Sequence, residues 1–186
     1  HLGFISKKAY DSFCNFNSNL GGHPDSTKMP IFNFSTGSLG HGLPNSSGLA
    51  YALKQKKSKK KVICLIGDQE LMEGTTWESL HIIENYKIKN LILIIDRNKS
   101  DFRSIRFLEI KKKLSVFSDK IHEINGHNLL EIKDTLKKSL TNKSFNIIIA
   151  NTVKGYGIKS IKNNPAWHHK SPTTEELKNF KKELCL

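Results

Sequence analysis

Residues 62–98 read VICLIGDQELMEGTTWESLHIIENYKIKNLILIIDRN, and the fold turns on how this stretch is parsed. Val62 to Ile66 is a short, continuously apolar run rich in branched side chains, which suits a strand buried on both faces. From Met72 to Tyr86 the spacing changes, and Trp77, Leu80 and Ile83 recur on one face of a helix. Leu91 to Ile95 is a second strand-sized apolar run. Strand, helix and strand in this order make a β-α-β unit with parallel strands.

Working outward, a helical stretch from about Leu39 to Lys56 precedes the unit. Downstream come a short extended piece at Lys120 to Ile124, a helix from about Asn128 to Leu140, and a strand from Phe145 to Ala150. A last helix follows Pro172, because Thr173 with Glu176 three residues later makes a capping box. Between them, Val153 to Lys170 is rich in Gly, Asn and Lys and reads as a loop over the sheet edge, with Trp167 as its anchor. There are no internal repeats and no separating linker. The 186 residues are therefore read as a single α/β domain, 1–186, a parallel sheet flanked by helices on both faces.

Charge and cysteine content narrow the function class. Thirty Lys plus Arg against 17 Asp plus Glu give a net charge of +13, but the excess is mostly Lys spread along the chain. Its densest run, KQKKSKKK at Lys54 to Lys61, falls where a solvated loop belongs and lacks interleaved aromatics or a nucleic-acid motif, so no nucleic-acid partner is expected. No apolar run approaches the roughly 18 residues that would span a bilayer, so none is read as a membrane helix. Cys14, Cys64 and Cys185 are odd in number, far apart and without a CxxC pair, which fits a reducing compartment and a cytoplasmic location. The chain opens without an initiator Met or a signal peptide, so His1 is expected to lie inside a longer reading frame, leaving the domain N-terminally incomplete.

In open α/β sheets the ligand sits outside the carboxyl ends of the strands. Gly67-Asp68-Gln69-Glu70 follows the first apolar run and Asp96-Arg97-Asn98-Lys99-Ser100 the second. Adjacent parallel strands would bring Asp68 and Asn98 to one rim, a carboxylate and an amide oxygen of the kind Mg²⁺ or Ca²⁺ prefers. The turn at Gly67 would offer backbone N–H groups to an anion, so the pair could hold a metal diphosphate. The plainer alternative is that Asp68 caps the following helix. Ser35 to Gly42 (STGSLGHG) is a second glycine-rich turn, either an ordinary loop or a place of close backbone approach to a ligand.

GGHPD (Gly21 to Asp25), STGSLGHGL (Ser35 to Leu43), IGDQELMEGTTWESL (Ile66 to Leu80), NLILIIDRN (Asn90 to Asn98) and NNPAWHHKSPTTEEL (Asn163 to Leu177) resemble, in order and spacing, successive blocks of the transketolase N-terminal region. The likeness covers nearly the whole chain and is closest to the split bacterial form, in which this region is a separate subunit. It implies a thiamine diphosphate-binding fold, the half of an active site that grips the diphosphate through Mg²⁺ or Ca²⁺. By that likeness Asp68 and Asn98, thirty positions apart, supply side-chain oxygens to the metal and Ser100 a main-chain carbonyl. Gly37, Leu39, Gly67 and Gln69 line the cofactor, and His23 contacts substrate and cofactor. His168, with His169 beside it, falls where the family places another active-site histidine, and Glu73 matches an acidic residue near the subunit interface.

The implied activity is transfer of a two-carbon unit from a ketose phosphate to an aldose phosphate, in a heterotetramer or dimer of halves with a C-terminal, pyrimidine-binding subunit. A deoxyxylulose phosphate synthase or a decarboxylase is disfavoured by GGHPD, GSLGHGL and the PAWHHKSPTTEEL tail. The alternative from another class is a non-catalytic relative acting as a scaffold, and it rests on departures from the family pattern. Gln69 stands at the second glycine of Gly-Asp-Gly, where a side chain would crowd the phosphate or, if φ is positive, force a different backbone angle, so Gln69→Gly is expected to strengthen binding at a compromised site. Pro44 enters the helix after the glycine loop, His169 replaces a glycine and Tyr156 a small or basic residue. The family's upstream Ser-Lys-Gly-His block and its pyrimidine-binding half have no counterpart in these residues.

Overall fold

The computed structural model describes residues 2–99 and 108–186. Four parallel strands form one sheet: β1 (Val62–Gly67), β2 (Leu91–Arg97), β3 (Lys120–Asn125) and β4 (Asn146–Asn151), in the order β1-β2-β4-β3. The helices are α1 (Lys7–Asp11), α2 (Gly42–Gln55), α3 (Gly74–Asn85), α4 (Ile110–Leu114), α5 (Leu129–Thr141) and α6 (Thr174–Glu183). Among the described residues no helix is long and apolar enough to cross a membrane.

Period-two alternation within the strands sorts the core into two layers. Cys64, Ile66, Leu93, Ile95, Ile147 and Ile149 face one side and pack with Leu43 and Ala50 of α2, Leu80 and Ile83 of α3, and Ile110 and Leu114 of α4. Ile92, Ile124 and Ile148 face the other and meet Ile132 and Leu136 of α5. Helices thus flank both faces, as the sequence pattern requires. The expectation for Val62 to Ile66 needs correcting, however: β1 is buried on one face only, with Ile63 50% and Leu65 68% exposed. β1 is one of the two edge strands among the described residues, and α5 packs behind β3 and β4, leaving the outer face of β1 uncovered among the described residues.

Two helices start later than their apolar spacing suggests. Gly37 (φ +120°) and Gly40 (φ +78°) break helical conformation up to Gly40, so α2 begins at Gly42, after the N-cap His41, and not near Leu39. This places Pro44 third in α2, where the N–H that proline lacks has no helical acceptor in any case. Similarly, α3 begins at Gly74 because Asp68–Met72 first forms a 3₁₀ turn and Glu73 is extended.

The capping box is present: Glu176 N–H donates to Thr173 Oγ1 at 3.2 Å and Thr173 N–H donates to Glu176 Oε2 at 2.8 Å. The Lys170 ammonium, then the Thr173 N–H, hold the Glu176 carboxyl below its usual range. A depressed folded-state value means that the box contributes fully above the ordinary carboxyl range and is lost as pH falls through the folded-state value. Thr173→Ala is expected to cost about 1 kcal/mol, measurable as a lower urea midpoint at neutral pH, with the difference narrowing in acid. Trp167 packs edge-on to Phe180 of α6 at 5.1 Å, under the Lys170 ammonium at 4.2 Å, so it anchors the loop as expected.

Candidate functional site

Gly67 and Asp96 are paired at the carboxyl ends of β1 and β2, so Asp68 and Asn98 emerge side by side at one rim. Asp68 is only 5% exposed. It does not cap the turn that follows; its Oδ2 accepts the Lys99 N–H at 2.8 Å, which ties it to the residues directly after β2. Asn98 Nδ2 donates to Asp96 Oδ2 at 3.2 Å. With its nitrogen committed there, the oxygen is the atom of Asn98 suited to a cation. Ser100 lies outside the described residues.

The capping role falls to Glu70 instead. Its Oε1 accepts the Gly67 N–H at 3.1 Å and its Oε2 the Gly40 N–H at 2.9 Å, so one carboxylate ties the turn after β1 to the glycine loop before α2. Thr75 Oγ1 donates to the Gly40 carbonyl at 2.8 Å. A Cβ on Gly40 would lie 2.5 Å from Glu73 Cβ and 2.6 Å from Thr75 Oγ1. Glycine is therefore demanded here by contact as well as by φ. The signal for Glu70 is present in the sequence as the three-residue capping spacing from Gly67; its second partner, thirty positions upstream, leaves no local trace.

At the other end of the glycine loop, His23 meets Gly37: a Cβ on Gly37 would stand 3.1 Å from Cγ and Cδ2 of the imidazole. Thr36 N–H donates to the Pro24 carbonyl at 2.9 Å and Ser26 N–H to Ser35 Oγ at 3.0 Å, which pins GGHPD along the loop. Leu39 is 52% exposed. His168 is exposed on the segment after β4, with Nδ1 2.8 Å from Lys154 Nζ and the His169 ring 4.3 Å away. His127, to which no sequence motif gives a role, stacks on Tyr156 at 3.7 Å and accepts the Val153 N–H through Nε2 at 2.8 Å. Tyr156 thus has a packing role of its own.

Gln69 is the second residue of the 3₁₀ turn, and its φ is not among the positive ones. The backbone there therefore carries no positive-φ strain. Gln69→Gly is expected to lower stability by up to about 1 kcal/mol through backbone entropy; tighter cofactor binding in calorimetry would show that the side chain crowds the phosphate, and an unchanged affinity would remove that idea.

The residues present fit a metal diphosphate. Among the described residues no three His, Cys, Asp or Glu side chains converge as a self-sufficient metal set, whereas one buried carboxylate and one amide oxygen at a rim match Mg²⁺ completed by phosphate oxygens. Residues 5–186 match the family model described as transketolase, thiamine diphosphate binding domain. The chain belongs to the transketolase family. It is 38% identical over 187 residues to one of the subunits of apulose-4-phosphate transketolase from Actinobacillus succinogenes, covering 98% of this chain and 68% of that one. The corresponding subunit from Phocaeicola vulgatus is 34% identical over 188 residues, with 98% and 66% covered. Human transketolase is 33% identical over 174 residues, with 90% of this chain and 27% of that one covered. This transketolase domain therefore spans about two thirds of the apulose-4-phosphate transketolase subunits and under a third of the human enzyme. Among solved structures, transketolase from Campylobacter jejuni superposes with a TM-score of 0.90 at 25% identity, covering 98% of this chain and 30% of that one. Transketolase from Leishmania mexicana does so at 0.86 and 22%, with 97% and 29% covered, and supports the fold.

Proposed function

We propose that the chain is the diphosphate-binding section of a two-chain transketolase, which moves a two-carbon glycolaldehyde unit from a ketose phosphate to an aldose phosphate. The observation that carries this reading is the buried Asp68 carboxylate beside Asn98 at the shared end of two parallel strands. Asp68, Asn98 and the Ser100 carbonyl hold Mg²⁺ or Ca²⁺, while Gly37, Leu39, Gly67 and Gln69 line the cofactor. Both apulose-4-phosphate transketolase relatives are named as subunits, which supports a partner subunit; in this proposal the partner is a C-terminal, pyrimidine-binding chain, in a heterotetramer or dimer of halves working in the cytoplasm.

Bound thiamine diphosphate supplies a nucleophilic carbon and an electron sink for breaking the bond next to a ketose carbonyl. The protein binds, orients and moves protons. The Glu70 clamp keeps the two glycine turns at a fixed separation before anything binds, so little ordering entropy is lost on binding. The buried Asp68 keeps its anionic oxygens in a place of low dielectric, where they attract a cation more strongly than in water. His23, against Gly37, is the group that takes or returns a proton at a sugar hydroxyl near neutral pH, and His168 is its counterpart on the segment after β4. Lys154, next to His168, offers positive charge to a sugar phosphate.

The test is made on the natural protein purified from its own cells with any further chain that follows it. Two-carbon transfer between sugar phosphates that requires both thiamine diphosphate and Mg²⁺ is expected. A copurifying partner without transfer would favour the scaffold reading instead, although Gln69 and Pro44, two of the residues on which it rests, both sit without backbone strain.

A further inference from the structure

Asp96 has both carboxylate oxygens engaged at the rim of the site. Oδ2 accepts from Asn98 Nδ2 at 3.2 Å, and Oδ1 accepts the hydroxyl of Thr152. Thr152 comes directly after β4 and is itself fixed by its backbone, its N–H donating to the Arg97 carbonyl at 3.1 Å. The three side chains thus bridge from β4 across Asp96 to the segment leaving β2, joining residues 56 positions apart in the chain.

From this geometry we infer that Asp96, locked by Thr152, is the positioning residue that decides which end of the Asn98 amide faces the cation. The inference rests on the reading of Asn98 as a metal ligand. An amide can present either its NH₂ or its oxygen, and the two differ little in shape. An ionised carboxylate only accepts hydrogen bonds, so it selects the nitrogen end and turns the oxygen outward. With the amide reversed, two N–H dipoles would point at a divalent cation and the ligand would be lost. The Thr152 hydroxyl, donating to the other oxygen, opposes rotation of the carboxylate about its own bond and so keeps the selection in force. Outer partners of this type characteristically change metal affinity by about 10- to 100-fold.

Asp96→Asn alone is a poor test because it also removes a negative charge near the cation. Thr152→Val keeps the shape, the charge and the backbone N–H bond to Arg97, and deletes only the hydroxyl; Thr152→Ser restores it. The experiment compares these two and Asn98→Ala with the unaltered protein, expressed in its own cells and purified with any associated chain. Mn²⁺ binding is titrated by electron paramagnetic resonance in the presence of thiamine diphosphate, and thermal unfolding is followed in the metal-free state. Thr152→Val is expected to weaken Mn²⁺ binding about tenfold, with a somewhat lower metal-free midpoint because Asp96 Oδ1 loses its donor, and Thr152→Ser to bind as the unaltered protein does. If Asn98→Ala binds weakly while Thr152→Val binds normally, the inference is overturned and the metal-site reading stands. If Thr152→Ser is as weak as Thr152→Val, the role is packing and the inference again fails. If Asn98→Ala binds normally, the metal lies elsewhere and both fall together.

Discussion

Asp68→Ala is expected to abolish metal-dependent binding of thiamine diphosphate, with an affinity loss of at least about 100-fold, since even partners one step removed from a metal are worth about 10- to 100-fold. The effect has two sources that can be separated. Asp68 is proposed to face the cation, and it also accepts the Lys99 N–H at 2.8 Å; deleting it strands a donor at a cost of about 1 to 3 kcal/mol. Asp68→Asn keeps an acceptor for Lys99 and loses the charge. If the metal role dominates, both variants lose calorimetric binding, and only Asp68→Ala falls in metal-free stability. The unaltered protein should also gain about 2.7 kcal/mol when cofactor and Mg²⁺ stand at 100 times their Kd, a rise of several degrees in Tm for a chain of this size. Neither variant should show that rise. An unchanged affinity in both would remove Asp68 from the metal site.

Gly40→Ala is expected to produce the largest loss of stability among single substitutions in the glycine loop. The residue has φ +78°, a region that costs an alanine about 1 to 2 kcal/mol. Its new Cβ would also overlap Glu73 Cβ at 2.5 Å, a contact on the backbone side of that residue that no rotamer change relieves. Forced overpacking of this sort adds about 1 to 3 kcal/mol, so a total near 3 kcal/mol is expected from chemical denaturation. The loop can escape only by moving off the Glu73–Thr75 segment, which breaks the Gly40 bonds to Glu70 and Thr75 and releases one side of the clamp. Cofactor affinity should therefore fall in the fraction that remains folded. Gly48→Ala makes the control, because a Cβ there meets nothing within 4 Å; it sits mid-helix in α2 and should stabilise by about 0.5 to 1 kcal/mol.

The strands, the long helices and the rim where Asp68 and Asn98 meet are legible in the sequence because each depends on short-range periodicity or on which segment follows which strand. Leu80 and Ile83, read as one helical face, are both buried. What escapes such a reading is set by contacts distant in the chain. The exposure of Ile63 and Leu65 depends on where α5 lies and not on their own hydrophobicity. The bond from Thr152 to Asp96, on which the orientation of Asn98 depends, spans 56 positions, and neither end announces the other. The short helices α1 and α4, five residues each, have too few turns to show a period. Gln69 illustrates the opposite case: a departure from a motif that suggests backbone strain in the sequence carries none, because the backbone under it is an ordinary 3₁₀ turn.

The uncovered side of β1 bears on how the chain behaves in the test tube. An edge strand carrying two large aliphatic side chains in water, with its outer ladder of N–H and C=O groups unpaired by any described strand, is a template for pairing between molecules. Turbidity and scattering should rise with protein concentration and, because the net charge of +13 supplies the opposing repulsion, should rise further as salt screens it. Dilute, low-salt handling is the condition under which this chain stays dispersed.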